Sequence, residues 1–226
     1  MVKRANKVQL AMTNSKKSEI LELLNSYDSF GIEYIDSFNY DKNEKEKFQL
    51  PNTIEQLEIE AFHCSLCDLS KDKTQFEFGI GNKYSQIYVI GINQYQLDSE
   101  LVFKSFKNMI ENVLLFNFDD IYITNIIKCK TKQNIRKLDG PIKLCEDYLF
   151  KQIEIVKPKL IIALDFAFNY LMKSDENIVD ISGNNYEYKG IKLIPLLHPE
   201  FVYKNPSYKD RMFKDLKKIK SLMEKL

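Results

Sequence analysis

The clearest signal along the chain is a series of short apolar runs separated by stretches of helical periodicity. Gln86–Ile92 (QIYVIGI), Ile121–Asn125 (IYITN), Lys159–Leu164 (KLIIAL) and Lys192–Leu196 (KLIPL) read as strands, because β-branched and aromatic residues fill them and turn residues bound them. The fourth is less regular, since Pro195 has no N–H to give to a central ladder. Between the runs, apolar positions recur at helical spacing over Phe103–Phe116, Leu144–Val156 and Phe166–Met172. A last helix, Tyr208–Leu226, sets Phe213, Leu216, Ile219 and Met223 on one side and Lys214, Lys217, Lys218 and Lys220 on the other. Buried-type strands alternating with helices predict an α/β fold, a three-layer α/β/α sandwich around a four-stranded, mostly parallel central sheet.

Upstream the pattern weakens. The first residues are polar, Ser18–Asn25 reads as a short amphipathic helix, and Lys42–Lys47 is a charge run suited to a linker closed by Pro51. Residues 1–50 are therefore expected to be a helical, partly flexible appendage and residues 51–226 the main domain. Thr53 followed by Gln56 is a capping-box pattern that starts a helix at Ile54. A chain of 226 residues can build a core without disulfides. Lys plus Arg is 33 against 32 for Asp plus Glu, which excludes a strongly basic tail but leaves room for a local basic face. No uncharged apolar run approaches the roughly 18 residues of a membrane span, and no apolar stretch follows Met1–Lys7 to make a signal peptide. A cytoplasmic protein is expected, and, with no coiled-coil repeat, a monomer.

The cysteines change the picture. There are four, Cys64, Cys67, Cys129 and Cys145, with only two histidines, His63 and His198. A Cys-x-x-Cys pair plus two distant cysteines suggests a four-thiolate metal or iron–sulfur site; a set of buried free thiols is the alternative. In a parallel sheet, ligands sit beyond the C-terminal strand ends, which here carry Gly91–Gln94, Thr124–Asn125, Asp165 and His198–Pro199. No Gly-x-Gly-x-x-Gly follows the first strand and no Walker motif occurs, which disfavours a dinucleotide or nucleotide triphosphate site.

With those residues in place the chain resembles the uracil-DNA glycosylase superfamily, most closely its iron–sulfur branch (family 4, with family 5 beside it). The resemblance runs over roughly residues 54–220. It is carried by Tyr122-Ile-Thr-Asn-Ile-Ile-Lys-Cys129, by Cys145 and the segment running to Leu164, by the upstream Cys64-x-x-Cys67 and by the downstream His198-Pro199. It implies a [4Fe–4S] cluster on Cys64, Cys67, Cys129 and Cys145, with zinc as the alternative. It also implies that Asn125 recognises the base, that Phe103 stacks on it, and that His198 stabilises the negative charge on the leaving base. The segment after His198 would enter the DNA duplex, with Phe201, Val202 or Tyr203 as the plug and Lys204 beside it. Lys130, Lys132, Asn134 and Arg136, in a basic loop with Lys128 and Lys137, would touch DNA phosphates.

The chain departs from the family in several places. The loop Gly91-Ile92-Asn93-Gln94-Tyr95 lacks the acidic residue, proline and second glycine of the family pattern, and instead resembles the mismatch-specific branch, in which Asn93 would hold the attacking water. Glu200 replaces a small residue, a carboxylate able to repel phosphate or raise the His198 pKa. Asp165 stands where the family commonly has glycine, and could cap the following helix. The implied activity is monofunctional hydrolysis of the N-glycosidic bond of uracil, or a related deaminated or mismatched base, in DNA. The alternative is a catalytically weak or inactive glycosylase-like protein that binds DNA or a partner. In either case residues 1–50 could recruit a repair protein.

Overall fold

The computed structural model of the chain describes residues 50–71, 76–93, 99–131 and 138–224, which lie in the second of two units, 49–226, into which the chain divides. The expected helix at Ser18–Asn25, the Lys42–Lys47 linker and the appendage that contains them lie outside the described residues.

Among the described residues six strands form one sheet: β1 (Ile80–Gly81), β2 (Ile87–Asn93), β3 (Tyr122–Ile127), β4 (Leu160–Leu164), β5 (Tyr186–Tyr188) and β6 (Ile191–Leu196). Their order is β1-β3-β2-β4-β6-β5. The four inner strands are parallel and are those expected from the apolar runs, while β1 and β5 add antiparallel edges. The sheet is thus six-stranded rather than four-stranded, because two- and three-residue edges leave no apolar run to read. Every position of β2, β3 and β4 is buried, as expected of parallel strands covered on both faces. Pro195 is accommodated because β5 pairs with β6 only as far as Leu193. Beyond that point the side of β6 away from β4 is open, and the Pro195 carbonyl accepts from Gly183 N–H at 2.9 Å.

Seven α-helices flank the sheet among the described residues: α1 (Ile54–His63), α2 (Glu100–Met109), α3 (Asp139–Val156), α4 (Phe166–Met172), α5 (Ile178–Ile181), α6 (Pro199–Lys204) and α7 (Lys209–Met223). Thr53 Oγ1 caps α1 by accepting from Gln56 N–H at 3.4 Å. Through Ile54, Leu57 and Ala61, α1 packs on Tyr148 of α3 and on Phe78. The helix expected over Phe103–Phe116 begins earlier, and from Ile110 to Leu114 it widens into a π turn that a left-handed Leu115 ends. Helix α3 starts ahead of Leu144 because Pro141 falls in its first turn, where a missing N–H costs nothing. On α7 the inward face is Met212, Leu216 and Ile219. Phe213, expected on that face, is exposed, with Lys217 Nζ 4.7 Å from its ring centre.

Candidate active site

Parallel pairing sets Gly91 of β2 opposite Asn125 of β3. A Cβ on Gly91 would lie 2.6 Å from Asn125 Oδ1, so the Asn125 carboxamide lies against a spot on β2 that only glycine leaves open. Asn125 is buried, and its backbone carbonyl accepts from Lys128 Nζ at 2.7 Å. The same ammonium donates to Thr124 Oγ1 at 2.7 Å and Gln152 Oε1 at 2.5 Å, with Phe78 O at 3.5 Å. Gln152 Nε2 in turn reaches Tyr122 Oη at 3.2 Å and Phe78 O at 3.3 Å. Burial pushes the Lys128 pKa down to about 7, against a weaker opposing pull from Cys145. Lys128 therefore does not belong to a basic surface loop; it is the buried hub beneath Asn125. The sequence shows only a lysine three residues after the expected strand Ile121–Asn125, and nothing in that pattern points inward.

Asn93, the last residue of β2, is also buried. Its Nδ2 donates to Cys129 O at 3.1 Å and its Oδ1 accepts from Thr131 N–H at 3.3 Å. The side chain thus ties the end of β2 to the loop leaving β3. Ile92 points elsewhere, into a groove of about 1080 Å³ that Phe166 and Tyr170 of α4 also line. Phe103 is partly buried on α2, its ring edge-on to Phe118 with centres 5.3 Å apart.

His198 follows β6 and caps α6: its Nδ1 accepts from Glu200 N–H at 3.1 Å. It is 3% exposed, so the His-Pro pair is not an exposed turn. Burial lowers its pKa to about 4, outweighing Glu200, which acts to raise it; Lys204 lowers it further. The ring is therefore neutral near pH 7. A backbone N–H can only donate, so Nδ1 is the acceptor and the proton sits on Nε2, leaving Nε2–H as a donor. Glu200 itself pairs with Lys204 at 2.6 Å.

Asp165 occupies the N-cap position of α4, but its side chain makes no cap bond. Instead Oδ1 accepts from the backbone N–H of His198 at 3.1 Å. Along α6, Val202 is buried and Phe201 packs on Tyr208 with ring centres 5.1 Å apart, whereas Tyr203 is 48% exposed. Lys204 is exposed and Lys130 partly so; Lys132, Asn134 and Arg136 lie outside the described residues.

The cysteines overturn an expectation. Cys64, Cys67, Cys129 and Cys145 are partly buried and line one cavity of about 20 Å³, room for about one water. Among the described residues no group of three or more His, Cys, Asp or Glu side chains is placed to hold a metal ion. Burial also raises the Cys145 pKa, against Lys128, which acts to lower it. Neither the [4Fe–4S] cluster nor zinc fits this arrangement. Among the described residues no helix is long and apolar enough to cross a membrane.

Comparison with known proteins bears on these strand ends. Residues 78–217 match the family described as the uracil DNA glycosylase superfamily. The chain is 29% identical over 189 residues to a type-4 uracil-DNA glycosylase of Archaeoglobus fulgidus, covering 76% of this chain and 94% of that one. It is 28% identical over 173 residues to a type-4 uracil-DNA glycosylase of Thermotoga maritima, covering 72% and 90%. It is also 30% identical over 154 residues to a DNA polymerase of Bacillus phage SP01, covering 65% of this chain and 17% of the polymerase.

Proposed function

The chain belongs to the uracil DNA glycosylase superfamily, and on that footing we propose that it hydrolyses the N-glycosidic bond of uracil, or of a related deaminated or mismatched base, in DNA. The family supports a glycosylase-type DNA-repair enzyme, and the type-4 relatives favour uracil. The observation that carries the reading is His198, a buried neutral imidazole whose capping bond leaves Nε2–H free to donate. In this reading a base is turned out of the DNA, stacked near Phe103 and recognised through Asn125 above Gly91. Water held by Asn93 adds to C1′ of the sugar. The C1′–N bond breaks with its electron pair passing to the base, and Nε2–H of His198 donates to the developing anion. The attacking water gives up its proton to solvent. Lys128 is sequestered among backbone and side-chain acceptors, which supports hydrolysis without a Schiff base. On α6, Tyr203 is the exposed candidate for the plug, with Lys204 and Lys130 as phosphate contacts.

One observation favours a second reading. Both ends of the Asn93 carboxamide already serve the loop after β3, and an amide cannot act as a base; a chain that binds DNA with weak or no excision would follow. Base release from a labelled single-stranded oligonucleotide carrying uracil, with hypoxanthine and mismatched versions in parallel, separates the two. Release that His198→Ala abolishes supports the glycosylase. Bound DNA with no release from any substrate supports the second reading.

A further inference from the structure

The sharpest backbone anomaly near the site is Asp165, at φ 44° and ψ −128°. Three other residues with positive φ, Leu115, Lys157 and Lys173, are helix C-caps with ψ between 31° and 61°, the left-handed basin that side chains tolerate at helix ends. Asp165 lies outside that basin, in a region glycine enters freely and other residues enter at a cost. Helix capping does not explain the aspartate, because its carboxylate makes no hydrogen bond to the α4 N-terminus. The residue instead bridges two strand ends. Its N–H donates to Leu196 O at 3.0 Å, and its Oδ1 accepts from His198 N–H at 3.1 Å. His198 is thereby held on two sides, its N–H by Asp165 and its Nδ1 by Glu200 N–H.

We infer that Asp165 is a positioning residue for His198, its carboxylate fixing the backbone from which the ring presents Nε2–H, at the expense of a strained turn. The catalytic consequence rests on the glycosylase reading above; the effect on the ring does not. The charged groups around the carboxylate are Glu200 of α6, which acts to raise its pKa, and Asp175 and Glu176, which line the same cavity of about 410 Å³. Burial is the larger cause, and together with Glu200 it brings the Asp165 pKa up to about 6, against the His198 N–H, which lowers it. The charge-assisted bond to His198 weakens as pH falls through that value.

Three forms separate positioning from scaffolding. Asp165→Asn keeps an oxygen acceptor without charge. Asp165→Gly relieves the backbone and removes the acceptor. Single-turnover excision from uracil-containing single strands is followed from pH 5 to 8, with melting temperature, DNA affinity and the His198 ring resonances by NMR. The wild type is expected to slow about tenfold as pH falls through 6, the difference between a charged and a neutral acceptor. Asp165→Asn runs at the slower rate throughout, with no inflection near 6. Asp165→Gly is slower again with unchanged DNA affinity, yet melts at the wild-type temperature or a few degrees above it. If the wild type excises nothing, the ring resonances still decide: they shift in Asp165→Gly and far less in Asp165→Asn. Unchanged His198 resonances in Asp165→Gly would overturn the inference. So would excision lost only in proportion to melting temperature, which marks a scaffold residue.

Discussion

Gly91→Ala is the smallest change that reaches the candidate base-reading group. The new methyl would sit 2.6 Å from Asn125 Oδ1 and 3.7 Å from Cγ. Ordinary contact begins at about 3.4 Å, so the oxygen has to retreat by about 0.8 Å while the rest of the side chain stays in place. The clash is with the end of a side chain and not with backbone, and β2 need not move. The stability cost therefore falls near the lower end of overpacking effects, about 1 kcal/mol, or roughly 3 °C in melting temperature for a chain of this size. The cost to chemistry is larger in proportion, because a misplacement of about 1 Å in a reacting constellation can cost on the order of a hundredfold. Single-turnover excision measured beside a thermal melt gives both numbers. A hundredfold slower rate with a melt only a few degrees lower is expected, together with poorer discrimination between uracil and hypoxanthine. Excision within twofold of wild type would refute the placement of Asn125 as the reader. Parallel collapse of rate and melting temperature would refute the claim that β2 stays put.

Two further substitutions probe the neighbouring machinery. Lys128 has a pKa of about 7 folded against 10.5 for the free side chain, so between those values the unfolded chain holds a proton that the native one lacks, and this contribution to stability rises with pH. Wild type should therefore gain stability relative to Lys128→Met from pH 7 towards 10, by at most about 1.4 kcal/mol per unit, in urea unfolding at several pH values; a constant difference would show that Lys128 titrates normally. Tyr203→Ala should slow excision from duplex DNA on the order of tenfold, because the duplex must be unstacked, with little change on single strands or in melting temperature. Equal losses on both substrates would move the plug elsewhere.

The inner sheet was legible because parallel strands buried on both faces leave uninterrupted runs such as Ile87–Ile92 and Leu160–Leu164. The edge β5 leaves a fainter mark. Tyr186-Glu187-Tyr188 alternates, and Lys189-Gly190, both at positive φ, turns the chain back into β6, a hairpin signal readable in retrospect. Asn125 and His198 could be singled out because polar residues ending apolar strands need a reason. What braces them could not be. The burial of Lys128 depends on Thr124 and Gln152 meeting it across two elements, and the Asp165 bond joins residues 33 apart in the chain. The cysteine spacing suggested a ligand set, but spacing fixes sequence distance only; the arrangement of the four thiols is set by α1, α3 and the end of β3.

The braces divide the site into two halves. Asn93, Gly91 and Asn125 are tied to one another through β2, β3 and the loop after β3. His198 and Asp165 are tied through the ends of β4 and β6. Between the halves the β2–β4 ladder ends at Ile90 and Ala163, while α4 packs on β2 and α2 on α6. The half that would read the base and hold water thus has hydrogen-bonded braces of its own, separate from those of the half that would receive the charge of the leaving base. The departures read from the sequence resemblance would fall on both, Gly91–Asn93 on one and Asp165 with Glu200 on the other. In the second half the structure compensates: burial outweighs Glu200 and keeps His198 neutral. In the first, the Asn93 carboxamide holds the loop at both ends, and any water must share it. On the proposed reading Asn93 would therefore limit catalytic strength, and leaving-group stabilisation by His198 would be the part of the chemistry this chain is best built to retain.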